Sequence, residues 1–310
     1  MSDPSSIDGV LVQWGDRLFY PGNRIVKGAP QPKLPAHSLR QRANAIRARI
    51  EATVVRRAPQ VMVKVTGGGR GMKAIAAHFK YISKNGRLDI EEDRGEVLRG
   101  RDDLRALAED WRLGGTPIDD VGFRREAFNI MLSMPRGVDP LYVVKAAREF
   151  AQSELADHKY VMVLHDHQAN PHVHLSVRAE SRRGQRLNPR KADLSRWRQV
   201  FAEKLRGWGV EAEASARSVR GPGHSNEPLW RIKAREDKRL RSVRGAAPGR
   251  SRAPQSKEAT GAWTALARVL AASELKTDQR LAAAVGQFAG IAGAALQRRA
   301  EPRSVREPGR

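Results

Sequence analysis

No cysteine occurs among the 310 residues. Disulfides, thiolate metal sites and cysteine nucleophiles are therefore excluded, and a cytosolic setting fits. Long apolar runs are missing too. None approaches the ~20 residues that a transmembrane helix needs, and residues 285–296 are too short and too glycine-rich, so no membrane insertion is expected. The start, Met1-Ser2-Asp3-Pro4, lacks a basic n-region followed by an apolar h-region, so no secretory signal is visible. No internal repeat occurs. Aromatic residues make up only 5%. Acidic residues are scarce beside basic ones: 34 Asp and Glu stand against 57 Lys and Arg, a formal net charge of +23. Such a balance implies an anionic partner, nucleic acid first and a membrane surface second.

What is present is concentrated. Half of the eight histidines fall in the ten residues His165-Asp166-His167-Gln168-Ala169-Asn170-Pro171-His172-Val173-His174. Residues two apart in a strand share a face, so His172 and His174 stand side by side, with Ser176 and Arg178 continuing that face. Val173, Leu175 and Val177 point the other way, toward a core. Tyr160-Val161-Met162-Val163-Leu164 is an apolar run of strand length closed by His165. Residues 166–171 are turn formers with an Asn-Pro pair. The expectation is an antiparallel hairpin that sets His165 beside His172. Three neutral imidazoles then converge on a divalent-metal site with an open position.

In chain order, residues 10–20 suggest a short hairpin around Gly15-Asp16, followed by a linker through Pro30, Pro32 and Pro35. Ser38 is placed to cap a basic helix to Arg57, with Arg40, Arg42, Arg47, Arg49 and Arg56 either solvated or lying along phosphates. A strand over 61–65 leads into Thr66-Gly67-Gly68-Gly69-Arg70-Gly71, a turn able to cradle phosphate through its backbone N–H groups but not a Walker loop. A helix over 72–84 has Ile75, Phe79 and Ile82 as its apolar stripe. Tyr81 lies off that stripe, among Lys73, Lys80 and Lys84, on a basic and open face. Further elements are a helix over 101–113, a strand over 127–134, and a helix from Asp139-Pro140 to about 155. A helix over 193–206 buries Leu194, Trp197, Val200, Phe201 and Leu205. The fold class expected is α+β, a largely antiparallel central sheet with flanking helices, plus a helical and disordered C-terminal region. The expected domains are 1–56 (hairpin and basic helix), 57–226 (the α+β domain) and 227–310. The last comprises a basic run over 231–244, a linker over 245–254, two alanine-rich helices broken near Lys276-Thr277, and a disordered tail.

A metal triad, an exposed tyrosine on a basic helix and a polyanion-binding charge belong together. A divalent ion on a phosphodiester oxygen neutralises charge developing at phosphorus. A phenol nearby, with lysines beside it, is more easily ionised. Its attack on DNA gives a 5′-phosphotyrosine link and a free 3′-hydroxyl.

Here the sequence resembles a plasmid relaxase or mobilisation nuclease of the VirD2-like group, within the three-histidine HUH endonuclease superfamily. His165, then His172-Val173-His174 preceded by Asn170-Pro171, resembles the family's metal motif. Tyr81-Ile82-Ser83-Lys84-Asn85-Gly86-Arg87-Leu88 resembles its nucleophile motif, Tyr-Leu-Ser-Arg-x-Gly-x-Leu. Ser133 in Met131-Leu132-Ser133-Met134-Pro135 resembles its middle motif. The likeness covers about residues 60–226. It implies an HUH relaxase-like fold, with Tyr81 as nucleophile and Mg²⁺ or Mn²⁺ held by His165, His172 and His174. It also implies single-stranded DNA at a transfer origin as substrate, relaxosome accessory proteins and a type IV coupling protein as partners, and a cytoplasmic protein exported to a recipient cell on its DNA. Members of the family that use a histidine nucleophile make His78, one turn before Tyr81, the second candidate. Many members carry Asp two residues after the first histidine, where this chain has His167, so Asp166, His167 and Asn170 are candidates for supporting the ligands. Related replication initiators and transposases place their tyrosine after the histidine pair, and none of Tyr20, Tyr81, Tyr142 and Tyr160 follows His174. Arg70, Lys73, Lys80, Lys84 and Arg178 are candidate DNA contacts. With few aromatics, backbone contacts and hydrogen bonds are expected to carry more of the recognition. Two other readings stay open: a non-catalytic nucleic-acid-binding accessory protein, and a metal-dependent phosphodiesterase using activated water.

Overall fold

The computed structural model describes residues 6–19, 36–220 and 257–290. In chain order the elements are α1 (Ile7–Phe19), α2 (Ala36–Ile50) running into a π turn (Glu51–Val55), β1 (Met62–Gly67) and α3 (Met72–Ile82). There follow β2 (Ile90–Glu92), β3 (Val97–Leu98), α4 (Gly100–Leu113), β4 (Ala127–Ser133), α5 (Pro140–Glu154), β5 (His158–His165) and β6 (His172–Ser181). The chain then forms α6 (Lys191–Gly207), α7 (Arg217–Arg220), α8 (Lys257–Ala271) and α9 (Lys276–Ala289). These elements divide into two units.

The α+β unit spans Ala58–Ala214 and carries every candidate site residue. Its six strands are ordered β1-β4-β6-β5-β2-β3, and every neighbouring pair is antiparallel. The expected hairpin is β5–β6, with His165 paired to His172 and Val163 to His174. Strand alternation sorts the side chains into two cores. Ile130, Leu132, Tyr160, Met162, Val173, Leu175 and Val177 pack with Phe150 of α5 and Trp197, Phe201 and Leu205 of α6, while Leu194 and Val200 are partly buried against them. Val161 and Val163 face the other way, onto Ile75, Phe79 and Ile82 of α3 and Leu104, Leu107 and Trp111 of α4. A sheet covered on both faces explains why β5 reads as one continuous apolar run. α6 begins two residues earlier than expected. Asp193 caps it from inside the first turn, its carboxylate accepting the Arg190 N–H at 2.8 Å.

The helical unit corrects the reading of both ends of the chain. Residues 10–20 are not a hairpin: residues 7–19 are helix, with Leu11, Gly15, Leu18 and Phe19 buried at helical spacing. Gly15, taken for a turn, is a close-packing residue, since a Cβ there would lie 2.5 Å from Ile46 Cγ2. α1 packs on α2 and on α8, and α9 closes the group. The Phe19 and Trp263 rings meet edge to face at 5.9 Å. The described helices from the two ends of the chain, α1, α2, α8 and α9, therefore share one core. Three of the four arginines of α2 are engaged within this unit, and Arg40 is exposed. Arg42 pairs with Asp16 at 2.6 Å, Arg47 with Asp8 and the buried Asp278 at 2.9 Å each, and Arg49 lies over the Phe19 ring. The break near Lys276-Thr277 is present, between α8 and α9. The proline linker through Pro35, the basic run over 231–244, the linker over 245–254 and the C-terminal tail lie outside the described residues.

Leu175 is fully buried on the face of β6 opposite the histidines. Leu175→Ala is expected to lower unfolding stability by about 2–5 kcal/mol in urea denaturation followed by circular dichroism. A loss under ~1 kcal/mol would mean that α5 and α6 do not seal this face.

Candidate metal and nucleophile site

The β5–β6 pairing gathers three imidazoles. His165 ends β5, His172 opens β6 directly across from it, and His174 follows on the same face. Their ring centroids lie 5.0, 4.7 and 5.0 Å apart. All three rings are buried, and one ligand nitrogen from each lies within 4.8 Å of the others. Main-chain carbonyls fix the tautomers of His165 and His172. His165 Nε2 is 2.6 Å from Ile82 O, and His172 Nδ1 is 2.9 Å from Asn170 O. A carbonyl only accepts, so both nitrogens carry the proton. That leaves His165 Nδ1 and His172 Nε2 as free lone pairs. His165 Nδ1 and His174 Nδ1 are buried with no hydrogen-bond partner. An unpaired buried nitrogen costs about 1–3 kcal/mol, and a bound cation removes that cost. Burial, above all, together with the neighbouring imidazoles, pushes His174 down to about 3. Burial likewise lowers His165 and His172. The triad is thus neutral near pH 7, the form that ligates, and it can hold one metal ion.

α3 brings the tyrosine. Its stripe of Ile75, Phe79 and Ile82 is buried as expected, and Tyr81 projects from the helix, 69% exposed. The Tyr81 ring is edge-on to His174 at 6.4 Å and stacked on His78 at 6.2 Å. His78 is itself 6.3 Å from His174, with Nε2 buried and unpartnered, and burial lowers it to about 4.

Residues 81–210 of the 310 match the family model of the relaxase, MobA/VirD2-like, nuclease domain. This segment is a MobA/VirD2-like relaxase nuclease domain. No curated protein matches the chain. The family supports DNA nicking and mobilisation in general, and with them binding of single-stranded DNA.

The end of α3 explains how the relaxase domain aims His165. Lys84, Asn85 and Gly86 all take left-handed backbone, with φ of 51°, 58° and 83°. A Cβ on Gly86 would lie 2.5 Å from Gly100 O, so only glycine fits. Ser83 is buried. Its hydroxyl donates to Phe79 O at 2.7 Å and accepts the Gly86 N–H at 3.0 Å. In a continuing helix that N–H would bond Ile82 O. Diverted to Ser83, it leaves the Ile82 carbonyl to His165. The positioning role of Ser83 and Gly86 was missed in the sequence. The cue was Ser-x-x-Gly at a helix end, which reads there only as a stop.

The remaining candidates sort by environment. The middle-motif Ser133 is buried across from His172, its hydroxyl 3.4 Å from Pro171 O, while Met134 N–H donates to Pro171 O at 3.1 Å. These contacts fix the chain just before His172. Asn170 acts through its backbone carbonyl. The Asp166 carboxylate lies 4.0 Å from His167, whose ring is 5.2 Å from His165; neither side chain makes the orienting bonds of the triad. Arg70, Lys73, Lys80 and Lys84 are exposed, and Lys84 adds to the lowering of His165.

Two expectations are corrected. Arg178 is not an open DNA contact. Its guanidinium is buried and donates to the Trp111 and Thr116 carbonyls. It lines a cavity of about 690 Å³ whose walls include Glu92, Asp93, Asp110 and Glu180, a poor setting for phosphate. Sharing a face with His174 did not bring it to the triad: it stands four residues further along β6, roughly 13 Å at strand rise. The glycine-rich turn is not a free phosphate cradle either. Gly69 N–H donates to Ala127 O, and Met72 and Lys73 N–H donate to Asp119 O and Asp120 O. Its glycines permit close approach, since a Cβ on Gly68 would lie 2.2 Å from Ala127 O.

Ser83→Ala is expected to weaken Mn²⁺ binding about 10- to 100-fold by titration calorimetry, the usual worth of an orienting partner behind a ligand. Unchanged affinity would remove Ser83 from the site. The pH dependence has a definite sign in metal-free protein. His78 and His174 protonate in the folded state only near about 4 and about 3, against an ordinary 6.5. Between those values the unfolded chain binds more protons. Stability is therefore full above about 6.5 and falls as pH drops toward 4. His78→Gln should make the urea midpoint less sensitive to pH across this window. An equally steep dependence would show that His78 titrates normally.

Proposed function

We propose that the relaxase domain nicks one strand of DNA at a transfer origin through attack by Tyr81. The observation that carries this reading is an exposed phenol set within ring contact of a buried three-histidine cluster. Tyr81 Oη loses its proton to solvent and bonds to phosphorus. The bond from phosphorus to the 3′ oxygen breaks, and that oxygen leaves as a 3′-hydroxyl after taking a proton. The product is a 5′-phosphotyrosine, and its bond energy permits rejoining by the reverse attack. His165, His172 and His174 would hold Mg²⁺ or Mn²⁺, which supplies charge neutralisation at the non-bridging phosphate oxygens. Holding the phenol in place removes much of the entropic barrier to attack. His78 is the weaker nucleophile candidate because its Nε2 is buried while the Tyr81 ring is open. His78 instead stacks on the Tyr81 ring and limits its rotation. Lys73, Lys80, Lys84 and Arg70 meet the phosphates of the strand. On this reading the chain works in the cytoplasm with relaxosome accessory proteins and a type IV coupling protein, and travels to a recipient cell on its DNA. Among the described residues no helix is long and apolar enough to cross a membrane.

The test uses single-stranded oligonucleotides tiling the DNA beside the gene, incubated with Mn²⁺ and resolved on a denaturing gel. The wild type is expected to give a covalent protein–DNA band, and Tyr81→Phe none. His172→Ala should lose at least tenfold in rate. Cleavage surviving Tyr81→Phe but lost in His172→Ala would favour a phosphodiesterase using activated water. Salt-sensitive binding without any adduct would favour an accessory protein.

A further inference from the structure

The sequence has few aromatics, and the large ones are mostly buried. Phe123 is not: its relative exposure is 101%, and Val121 beside it is 78% exposed. An unpartnered ring on a floppy loop would mean little, but this loop is fastened. Asp119 O and Asp120 O accept the N–H groups of Met72 and Lys73 at 2.9 and 3.2 Å, so it caps the start of α3. Asp120 also pairs with Arg112 at 2.7 Å. A Cβ on Gly71 would lie 2.4 Å from Asp120 O, and one on Gly122 2.5 Å from Arg70 O, so the two loops touch along their backbones. Phe123 therefore follows directly on the backbone contact between Gly122 and the exposed Arg70, at the opposite end of α3 from Tyr81, while Arg124 pairs with Glu126 and Arg125 lies over the Phe128 ring. Nine residues separate Met72 from Tyr81, roughly 14 Å along the helix.

We propose that Phe123 is a stacking platform for one base of the single strand, with Arg70 holding the adjoining phosphate. A ring that has no core to enter, on a loop fastened to the start of α3 and touching the backbone of the exposed Arg70, matches the two needs of a single strand: an apolar flat face for a base and positive charge for its backbone. Base stacking accepts any base, so the platform sets register along the strand relative to Tyr81 rather than reading sequence. The argument rests on the reading that this domain binds single-stranded DNA.

The experiment measures binding, not cleavage, by anisotropy with a labelled deoxythymidine strand of about 16 nucleotides and with an abasic strand of equal length and charge. Phe123→Ala should weaken binding of the thymidine strand about 5- to 150-fold, the worth of one stacked base. Phe123→Tyr should restore it. The abasic strand should bind the wild type and Phe123→Ala alike, with equal melting temperatures. The salt slope should be unchanged in Phe123→Ala but shallower by about 0.7 in Arg70→Ala. Equal affinity of wild type and Phe123→Ala for the thymidine strand would overturn the platform and leave the ring to a protein partner. An equal loss on both strands would overturn it too, because bases would not be involved. No binding of either strand by the wild type would defeat the DNA-binding reading itself and the platform with it.

Discussion

The hydrogen bond from His165 Nε2 to the carbonyl of Ile82 is the joint on which the site turns. It spans two elements far apart in sequence, the end of α3 and the end of β5. On one side it selects the His165 tautomer and turns Nδ1 inward. On the other it needs a helix that stops at Ile82, because a continuing helix would use that carbonyl itself. The stop is built by Ser83, which holds the Gly86 N–H, and by the left-handed run over Lys84, Asn85 and Gly86. Metal-binding and tyrosine motifs that look independent in sequence are thus one mechanical unit.

A second constraint is electrostatic. The chain carries a net +23, yet the centre of the site is uncharged. Burial holds His174 and His78 far below their ordinary protonation range. Had they stayed cationic, three or four positive rings within a few ångströms would repel one another and any metal. The positive side chains stay outside this centre, exposed at Lys73, Lys80, Lys84 and Arg70. On the proposed reading, neutral ligands inside and cations outside let the same surface accept a metal and attract a polyanion.

Much of this was legible because it rests on short-range periodicity. Alternation placed His172 and His174 on one face and Val173, Leu175 and Val177 in the core. Helical spacing put Tyr81 off the stripe of Ile75, Phe79 and Ile82. What periodicity could not show was the direction of a side chain once a neighbour from elsewhere arrives. Arg178 shares a face with His174, but the Trp111 and Thr116 carbonyls claim it. The glycine-rich turn looked open because nothing local consumes the Gly69 N–H or those of Met72 and Lys73 that follow it; carbonyls of the 119–127 segment do. Residues 7–19 misled for a related reason. Leu11, Leu18 and Phe19 have a helical period, but Gly15-Asp16 carries a strong turn signal. Only packing against Ile46 gives the glycine its other use. The core joining both ends of the chain is a long-range association that no local pattern encodes.

Placing the tyrosine on α3 has a physical consequence. A nucleophile on a mobile arm needs its trajectory fixed afresh in each reaction, whereas one on an anchored helix has its backbone fixed beforehand. α3 is anchored at both ends and along its length: Asp119 and Asp120 cap its start, His165 binds its last carbonyl, and Phe79 packs on Trp111 at 4.9 Å. Only the side-chain torsions of Tyr81 remain, and the His78 and His174 rings narrow them. The phenol is open to solvent while the helix that carries it is held against the sheet of the histidine triad. On the proposed reading, with Tyr81 as nucleophile, strand and phenol are then brought into line by docking the strand alone.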